Sequence, residues 1–429
     1  MNAPVVGFAG MTHLGLCSAA AAAQRGFRVV AFDREAPLAE QLRQGRLPVL
    51  EPGLAEAMRE HAARLAFSAR AADLAACDLV YVACDVATDD EGRSDLGEVR
   101  ALIGEIVPVL GAAAVLTVLC QVPPGFTRTL ALAHERLYYQ VETLVFGRAL
   151  ERAMHPERFI LGCADPGAPL PAAYRTFLQS FGCPILPMRY ESAELAKIAV
   201  NCCLVASISV ANTLAELCER LDADWTEIVP ALRLDQRIGQ HAYLAPGLGI
   251  AGGNLERDLA TVLSLAEAQG TDAGVVRAWI ANSRHRRDWA ARTVKRLLLD
   301  REPNAVLAVW GLAYKENTRS VKNSPALATI AQLPQAALRL HDPAVDASAA
   351  RHSKAVAAAD PLDALEAADA LMILTPWPQY REIEPKQIAA RMRGRVVLDP
   401  YAVLDASAAA AAGLEVHTLG RPAIRASHA

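Results

Sequence analysis

The sequence predicts an α/β protein with two Rossmann-like parallel-sheet domains, joined by a long central helix and a helical dimerisation domain. Short apolar runs alternate with amphipathic helical stretches near the start of the chain, and the same alternation returns from residue 305. Between these regions, a helical pattern with few breakers begins at Ser192 and runs to about Arg220. Strands separated by helices form parallel sheets with right-handed crossovers. We therefore expect three domains, over residues 1–190, 191–300 and 301–429.

Apolar runs mark the expected strands of both sheets. In the first domain these runs cover residues 5–10, 27–33, 79–84 and 114–119. In the third domain they cover residues 305–311, 338–341, 370–374 and 396–398. The alanine run 407–412 is interpreted as one helix rather than as a low-complexity tail. Only residues 426–429 are expected to be frayed.

Composition and charge restrict the class of protein. A chain of 429 residues with 53% hydrophobic and 21% charged residues is expected to be well packed rather than disordered. The net charge of −4 comes without a basic block, which argues against nucleic acid or an anionic membrane as the main partner. The first residues lack a basic region, and the apolar stretch 17–23 is too short to span a bilayer. We expect a cytoplasmic protein without a membrane anchor.

The cysteines indicate neither cross-links nor a metal site. The nine cysteines show no CxxC pair and no regular spacing. A disulfide framework and a zinc site are therefore not predicted, and no metal is expected. Cys202 and Cys203 lie in an apolar helical pattern, so we expect both side chains in the core.

A glycine motif predicts a dinucleotide site. The segment from Gly10 to Gly15 lies between a strand and a helix, and Asp33 closes the next strand 18 residues after Gly15. This context provides a tight turn, a helix N-terminus for a pyrophosphate and an acid for the ribose hydroxyls. Asp33 would repel a 2′-phosphate and so favours NAD over NADP, although the neighbouring Arg34 keeps NADP open. The predicted cofactor-binding residues are Gly10, Thr12, His13, Leu14, Gly15, Asp33 and Arg34.

Thr12 occupies the position of the middle glycine in this motif. A side chain there narrows the approach of the backbone to a phosphate, although the threonine hydroxyl can itself donate a hydrogen bond to it. The alternative interpretation is a Rossmann-like scaffold that has lost its cofactor.

Ordered segments along nearly the whole chain resemble those of one known family. They are 48–54 (Pro-Val-Leu-Glu-Pro-Gly-Leu), 121–125 (Gln-Val-Pro-Pro-Gly), 193–201, 235–239, 246–258, 311–315 and 375–377. In this order they resemble the nucleotide-sugar 6-dehydrogenases, the UDP-glucose/GDP-mannose dehydrogenase family. The resemblance implies NAD as cofactor, a nucleotide-sugar substrate, a homodimer and a role in polysaccharide biosynthesis.

The resemblance assigns catalytic roles to three residues. Lys197 and Asn201 lie one helical turn apart and project from the same helix face; in the family, this pair holds the oxyanion of the reacting carbon. Asp258 matches the acid that polarises the catalytic water. The simpler interpretations are a solvated helix lysine for Lys197 and an ordinary first-turn helix acid for Asp258.

Three matched positions depart from the family pattern. Asn254 stands in place of the nucleophilic cysteine, and an amide cannot form the thiohemiacetal and thioester that the family uses. Gln121 replaces a threonine beside the catalytic water. Phe146 replaces a glutamate associated with proton transfer, whereas Glu142 is kept. Asn254 is also a favoured helix N-cap and a hydrogen-bond donor, so it is expected to cap a helix, to contact substrate, or both.

The resemblance also places ligand-binding residues in the second half of the chain. Arg237, Tyr243, Gly249 and Lys315 are expected to bind substrate, and Arg257 and Lys322 to bind the cofactor. In the family, the residue matching Arg237 reaches into the neighbouring subunit. Tyr401 stands where the family has an arginine that grips the nucleotide diphosphate, which leaves the identity of the substrate open.

These observations favour an NAD-dependent oxidoreductase acting on the CH–OH group of a UDP- or GDP-sugar, with altered chemistry after the first hydride transfer. Three alternatives stay open: an epimerase that oxidises its substrate transiently, a conventional 6-dehydrogenase that oxidises an aldehyde hydrate, and a non-catalytic nucleotide-sugar-binding protein.

Overall fold

The computed structural model describes residues 3–89 and 93–425, so the frayed end predicted at 426–429 lies outside the described residues. The chain forms two compact units, Met1–Val200 and Asn201–Ala429. The predicted α/β class, with two sheets and a long helix between them in sequence, is confirmed.

The N-terminal unit contains an eight-stranded sheet in the order β10-β9-β8-β7-β4-β1-β2-β3. Its strands are β1 (Val5–Ala9), β2 (Arg28–Phe32), β3 (Leu65–Ser68), β4 (Leu79–Val82), β7 (Val115–Val118), β8 (Leu137–Gln140), β9 (Phe159–Cys163) and β10 (Ile185–Arg189). The short strands β5 (Ala87–Thr88) and β6 (Ser94–Asp95) form a separate antiparallel pair. The pairing of β8 with β9 is antiparallel, whereas the other pairings of this large sheet are parallel.

Helices cover this sheet between the strands. They are α1 (His13–Gln24), α2 (Ala36–Arg43), α3 (Leu54–Glu60), α4 (Gly97–Ile106), α5 (Ala149–Met154) and α6 (Ala172–Gln179). In α1, a run of alanines from Ala19 to Ala23 is almost fully buried. Small side chains let the helix backbone approach the strands closely, which sets the start of α1 directly at the carboxyl end of β1.

The helix α7 (Tyr190–Leu221) begins two residues before the predicted start and continues past Val200 into the C-terminal unit. It is followed by α8 (Trp225–Leu234), α9 (Asn254–Gln269), α10 (Gly274–Arg287) and α11 (Trp289–Val294), which continues as a π turn over Lys295–Leu299. Among the described residues, α7 is also the helix long and apolar enough to cross a membrane by length and composition. Its most apolar window is 39% buried within the chain, and core helices of soluble proteins satisfy the same criterion.

The C-terminal unit contains a six-stranded, fully parallel sheet in the order β13-β12-β11-β14-β15-β16. Its strands are β11 (Val306–Trp310), β12 (Ala337–His341), β13 (Ala355–Ala357), β14 (Ala370–Ile373), β15 (Val396–Leu398) and β16 (Glu415–His417). The helices between them are α12 (Pro325–Ala331), α13 (Pro361–Ala364), α14 (Pro385–Arg391) and α15 (Ala406–Ala411). The helix α15 is the one predicted from the alanine run.

The turns that follow the first strands of the two sheets are built in the same way. Gly10 follows β1 with φ +98°, and Gly311 follows β11 with φ +96°. In each unit, the aspartate after the second strand accepts the backbone N–H of the residue that follows the glycine. These bonds measure 2.7 Å to Asp33 and 2.6 Å to Asp342. An acid at the end of one strand therefore fixes the turn at the end of its neighbour.

Candidate functional site

The glycine turn lies at the carboxyl ends of β1 and β4. A Cβ at Gly10 would lie 2.8 Å from the backbone nitrogen of Cys84, and a Cβ at Gly15 would lie 1.9 Å from the carbonyl oxygen of Gly10. Both contacts are too short for any side chain, so the turn requires glycine at these two positions. The result is a tight turn that leads directly into α1, the arrangement that brings a helix N-terminus to a bound pyrophosphate.

The Thr12 hydroxyl points away from this turn. It donates to the carbonyl oxygen of Ala83 at 2.9 Å. Thr12 is the N-cap residue of α1, with an extended backbone, but its side chain makes no capping bond. Its hydroxyl therefore joins the start of α1 to the end of β4, and donation to a phosphate would require this bond to be exchanged.

The acid and the arginine beside the turn are both engaged. One carboxylate oxygen of Asp33 accepts the N–H that holds the turn, and the other accepts the N–H of Glu35 at 3.0 Å. Arg34 pairs with Glu105 at 2.8 Å and with Glu98 at 3.2 Å. Because two acids occupy this guanidinium, it is poorly placed to receive a 2′-phosphate. The local charge therefore fits NAD better than NADP.

His13, the first residue of α1, is held by a buried acid. Its Nε2 lies 2.8 Å from Oε2 of Glu51, whose side chain is 1% exposed, and its ring stacks on Phe146 with centroids 4.3 Å apart. Glu51 also accepts the N–H groups of Gly147 at 3.0 Å and of Ala149 at 2.7 Å. Glu51 thus fixes His13 and the start of α5 together.

Leu14 and Glu142 line one cavity of about 60 Å³ in the N-terminal unit, beside Tyr81 and Gln140. Leu14 is partly buried and packs against the hydrophobic core. Its role is therefore to seat α1 on the sheet.

Lys197 and Glu142 form an ion pair. The Nζ atom of Lys197 lies 3.2 Å from Oε2 of Glu142, and the two side chains are 12% and 19% exposed. Glu142 also accepts the N–H of Leu144. Lys197 is therefore not the solvated helix lysine of the simpler interpretation.

A buried glutamate one turn before Lys197 organises the turn that follows Gln121. Glu194 is fully buried and accepts the N–H groups of Gly125 at 2.5 Å and of Thr127 at 2.8 Å. Burial raises the pKa of the Glu194 carboxyl, whereas these N–H donors oppose the shift. Glu194 therefore positions the loop in which Gln121 lies.

Asn201 and Asp258 are joined in the C-terminal unit. The side-chain amide of Asn201 donates to Oδ2 of Asp258 at 2.5 Å, and the two residues are 7% and 0% exposed. Arg257 Nε lies 3.9 Å from Oδ1 of Asp258. Asp258 is thus a fully buried acid with a neutral donor and a nearby cation, which differs from an ordinary exposed first-turn acid.

Asn254 is the first residue of α9, so the prediction that it caps this helix is wrong. The N-cap is Gly253, which adopts φ +99°. The Glu256 side chain accepts the N–H of Gly253 at 2.9 Å and completes the cap. Asn254 itself is exposed at the helix start. Its side chain is therefore not needed as the N-cap.

The segment before α9 packs against the loop that follows β11. A Cβ at Gly252 would lie 2.6 Å from the ring of Tyr314, and one at Gly253 would lie 3.2 Å from Cγ of Lys322. The N–H of Gly252 donates to the carbonyl oxygen of Lys322 at 3.2 Å. Lys322 therefore lies beside the two glycines that precede Asn254.

Two further contacts fix the earlier part of this segment. A Cβ at Gly249 would lie 2.4 Å from the carbonyl oxygen of Ser283, so only glycine fits there. The phenol of Tyr401 forms a hydrogen bond with the backbone of Leu248. A Cβ at Gly247 would lie 3.9 Å from Cε1 of the Tyr401 ring. Tyr401 therefore supports this segment.

The remaining predicted substrate residues are Arg237, Tyr243 and Lys315. The side chain of Arg237 is 89% exposed and pairs with Asp235 at 2.5 Å. Tyr243 is 49% exposed. Lys315 Nζ lies 5.7 Å from the centroid of the Tyr314 ring. The C-terminal unit does not bring these three side chains together with Asn201 and Asp258 through any bond described above.

The sequence interpretation missed two residues of the site, Glu51 and Glu194. Both are buried carboxylates that accept backbone N–H groups distant in sequence. For Glu194 a signal existed, since it shares the helix face of Lys197 and Asn201 at intervals of three and four residues. For Glu51 the signal was its place between two prolines in segment 48–54, which resembles the family. Among the described ranges 3–89 and 93–425, no group of three or more His, Cys, Asp or Glu residues is suited to hold a metal.

The glycine turn with its aspartate, and the second parallel sheet of the same design, define a dinucleotide-binding protein of the Rossmann class. Three domain models of one family match the chain: the NAD binding domain over residues 4–177, the central domain over 191–284 and the UDP binding domain over 308–406. The chain belongs to the UDP-glucose/GDP-mannose dehydrogenase family. NAD is accordingly its cofactor, as the position of Asp33 predicts.

Named relatives agree with this membership. The chain is 31% identical to a UDP-glucose 6-dehydrogenase of Pseudomonas aeruginosa, over 98% of this chain and 97% of the relative. It is 30% identical to the UDP-glucose 6-dehydrogenase TuaD of Bacillus subtilis, over 97% of this chain and 93% of the relative. Members of the family are NAD-dependent dehydrogenases of nucleotide sugars.

Solved structures confirm the fold. A UDP-glucose dehydrogenase of Pyrobaculum islandicum superposes with a TM-score of 0.82 at 28% identity, covering 94% of this chain and 95% of that one. A UDP-D-ManNAc dehydrogenase of Pyrococcus horikoshii gives a TM-score of 0.83 at 21% identity, covering 97% of this chain and 99% of that one.

Proposed function

We propose that this protein oxidises the CH–OH group of a UDP-sugar with NAD and does so without a covalent enzyme intermediate. The observation that carries the proposal is the pairing of Asn201 with Asp258 at a helix start where Asn254 provides no thiol. The UDP binding domain model and the names of the relatives support a UDP-sugar rather than a GDP-sugar.

Bound NAD supplies the hydride acceptor for such a reaction. Lys197 and Asn201 lie one helical turn apart on α7 and carry the donors for the substrate oxygen. The lysine ammonium has three N–H groups and the asparagine amide has two, which is more than their bonds to Glu142 and Asp258 use. The partly buried Glu142 and the fully buried Asp258 hold these two donors, so they are oriented before an oxygen binds.

Glu142 and Asp258 are the acids of the proposed chemistry. Glu142 accepts a hydrogen bond from Lys197, so it is placed to receive the proton that leaves a hydroxyl through that lysine. Asp258 is fully buried and would orient a water molecule rather than a thiol adduct. We infer that oxidation beyond the carbonyl stage requires a hydrated aldehyde, because Asn254 cannot form a thioester.

The test is the stoichiometry of NADH and product. Purified protein is incubated with NAD and a panel of UDP- and GDP-sugars, with NADH followed by absorbance and products by mass spectrometry. One NADH per sugar with an aldehyde or ketone product supports the proposal in its simplest form. Two NADH with an acid product and no acyl-enzyme indicate oxidation of a hydrate.

The other outcomes assign the alternatives. A stereoisomer without net NADH identifies an epimerase. Binding of a nucleotide sugar without turnover of any sugar identifies a non-catalytic protein. An acyl-enzyme trapped on this chain by acid quench contradicts the proposal outright.

We also propose that the protein is a cytoplasmic homodimer that pairs through α7. Apolar side chains on one stripe of this helix are exposed within the C-terminal unit, at intervals of three and four residues: Val210, Leu214, Leu217 and Leu221, with exposures of 41–69%. A stripe of this kind is typical of a helix that packs against a partner. Leu214→Glu should produce a monomer in sedimentation velocity, whereas the matched control Val356→Glu, at another exposed apolar position, should not.

The division into functional domains is part of the same proposal. Residues 1–190 would bind NAD, 191–300 would dimerise and 301–429 would bind the nucleotide sugar, in line with the ranges of the three matching models. The side chain of Arg237 is 89% exposed, so a second subunit could contact it.

A further inference from the structure

Two cysteines follow the central strands of the N-terminal sheet in matching positions. The parallel pairing of β4 with β7 ends at Val82 opposite Val118. Cys84 lies two residues after Val82, and Cys120 lies two residues after Val118. Residues in register on neighbouring parallel strands project their side chains to the same face, and the N–H of Cys120 donates to the carbonyl oxygen of Val82 at 3.2 Å, two residues before Cys84. They are therefore neighbours in space, although 35 residues separate them in the sequence.

This pair lies directly under the glycine turn. The backbone nitrogen of Cys84 would lie 2.8 Å from a Cβ on Gly10, and the carbonyl oxygen of the preceding Ala83 accepts the Thr12 hydroxyl. Cys120 is followed by Gln121. A chemical change at the pair therefore acts on both the cofactor turn and the Gln121 loop.

We propose that Cys84 and Cys120 form an intramolecular disulfide in response to a peroxide, and that this disulfide weakens NAD binding. The proposal uses the family's NAD site and is independent of which sugar the protein oxidises. Both cysteines are free thiols in this structure.

The reaction balances with a peroxide as the oxidant. The Cys84 thiolate attacks one peroxide oxygen, so that an S–O bond forms, the O–O bond breaks and hydroxide leaves to become water. The Cys120 sulfur then attacks the Cys84 sulfenic acid, forming the S–S bond and releasing a second water. The two thiols are oxidised by two electrons and the peroxide is reduced by two.

The two thiols differ in exposure and acidity, as these two reaction steps require. Cys84 is only partly buried, whereas Cys120 is 1% exposed. The neighbouring Cys120 thiol lowers the pKa of the Cys84 thiol, with a smaller contribution from Arg34, whereas burial and Asp85 oppose the shift. Cys84 is thus the accessible, more acidic thiol that meets the oxidant, and Cys120 is the internal thiol that resolves it.

Other cysteines of the N-terminal unit lack this combination. Burial, together with a nearby acid, raises the pKa of Cys17 and of Cys77 to about 12. Cys183 is partly buried like Cys84, but burial raises its pKa. Cys183 is therefore the matched control.

A disulfide would change the geometry of the turn. Two bonded sulfurs lie ~2.05 Å apart, closer than two thiols that are not bonded. The loops after β4 and β7 must therefore draw together, which moves the Ala83 carbonyl that holds Thr12. We expect the dissociation constant for NAD to rise about tenfold on oxidation and to recover with dithiothreitol.

The experiment uses the full chain carrying Cys203→Ser, because Cys203 is exposed and would form disulfides between molecules. The protein is treated with one equivalent of hydrogen peroxide and digested without reduction, and mass spectrometry identifies the cross-linked peptides. NAD affinity is measured by calorimetry before and after treatment, and the ratio is compared within each variant. A linked Cys84–Cys120 peptide and a reversible loss of affinity are expected.

The variants separate this proposal from general oxidative damage. Cys84→Ser and Cys120→Ser should each abolish the link and the reversible loss, whereas Cys183→Ser should abolish neither. Absence of the link, an unchanged affinity despite the link, or an equal loss in Cys84→Ser would each overturn the proposal. None of these outcomes depends on turnover of a sugar, so failure of the proposed function is recognised separately.

Discussion

The ammonium of Lys197 lies 3.2 Å from the carboxylate of Glu142, and both side chains are largely buried. On the next turn of the same helix, Asn201 donates to the fully buried Asp258. Each proposed oxyanion donor is thus held by its own acid. The chain has this paired arrangement together with Asn254, at the position where the family resemblance predicts a nucleophilic cysteine.

Replacing Lys197 by methionine should lower kcat by about 10²–10³-fold, because one donor to the developing oxyanion is lost. It should also destabilise the N-terminal unit by about 1–3 kcal/mol, since Glu142 is left without its cation. NADH production at saturating substrate and urea unfolding measure the two effects. Arg158→Met, at a partly exposed cation whose partner Glu157 is 61% exposed, is the control and should change neither value appreciably. An unchanged kcat in the Lys197 variant would remove this residue from the mechanism.

Replacing Asn201 by alanine should destabilise the C-terminal unit by about 1–3 kcal/mol, because a fully buried carboxylate loses a hydrogen-bond donor. Asn282→Ala is a matched control, since its amide donates only to the Thr213 hydroxyl. The control should cost less than about 1 kcal/mol. Chemical denaturation followed by tryptophan fluorescence compares the two. Equal losses of unfolding free energy in the two variants would show that the Asn201–Asp258 bond stabilises the protein no more than the control bond does.

Asn254→Cys should introduce a reactive thiol. The residue is exposed at the first position of α9, where the helix dipole favours a thiolate and lowers the pKa of a cysteine. Alkylation by iodoacetamide near neutral pH should be several-fold faster at this position than at the natural Cys203, and acid quench with substrate should trap some acyl-enzyme. The control is Asn254→Ser. Slow alkylation at position 254 would count against an activating helix start.

The stability of the C-terminal sheet should depend on Asp369 in acid. This carboxylate accepts hydrogen bonds from Arg393 and from the N–H of Val306 at the start of β11. The bond from Arg393 is the main cause that lowers the pKa of Asp369 below its ordinary value, about 3.9 in an unfolded chain. The stabilisation is therefore complete above that value and is lost as the pH falls through the folded pKa. Asp369→Asn should lower the urea midpoint at pH 6, and its difference from the unchanged protein should shrink towards pH 3.

The strands and the long helix could be predicted because their patterns are local. Apolar runs located eight strands of the two sheets within one or two residues, whereas β3, β8, β9, β10, β13 and β16 were not predicted. The breaker-free helical pattern placed the start of α7 at Ser192, two residues late. The antiparallel pairing of β8 with β9 was not anticipated, because strand direction depends on a connection that has no periodic signal.

The errors at the site have a common origin. The helix α9 begins with a glycine cap at φ +99°, and a positive φ at Gly253 cannot be told from sequence when two glycines are adjacent. Cys203 was expected in the core but is exposed, because the apolar face of α7 is wider than the surface that the chain itself covers. Glu51 and Glu194 escaped notice because they bind distant backbone groups. Position along a helix can be predicted, whereas long-range partners cannot.

The two matching glycine turns are not equally able to recognise a ribose. The carboxylate of Asp342 accepts five N–H donors, from the backbone of Leu312, Ala313, Ala344 and Val345 and from the indole of Trp377. A carboxylate has about four lone-pair positions, so that acid is saturated by its own domain. Asp33 accepts two N–H groups and retains acceptor capacity. Of two turns with the same backbone, only the first can still accept the hydroxyls of a sugar.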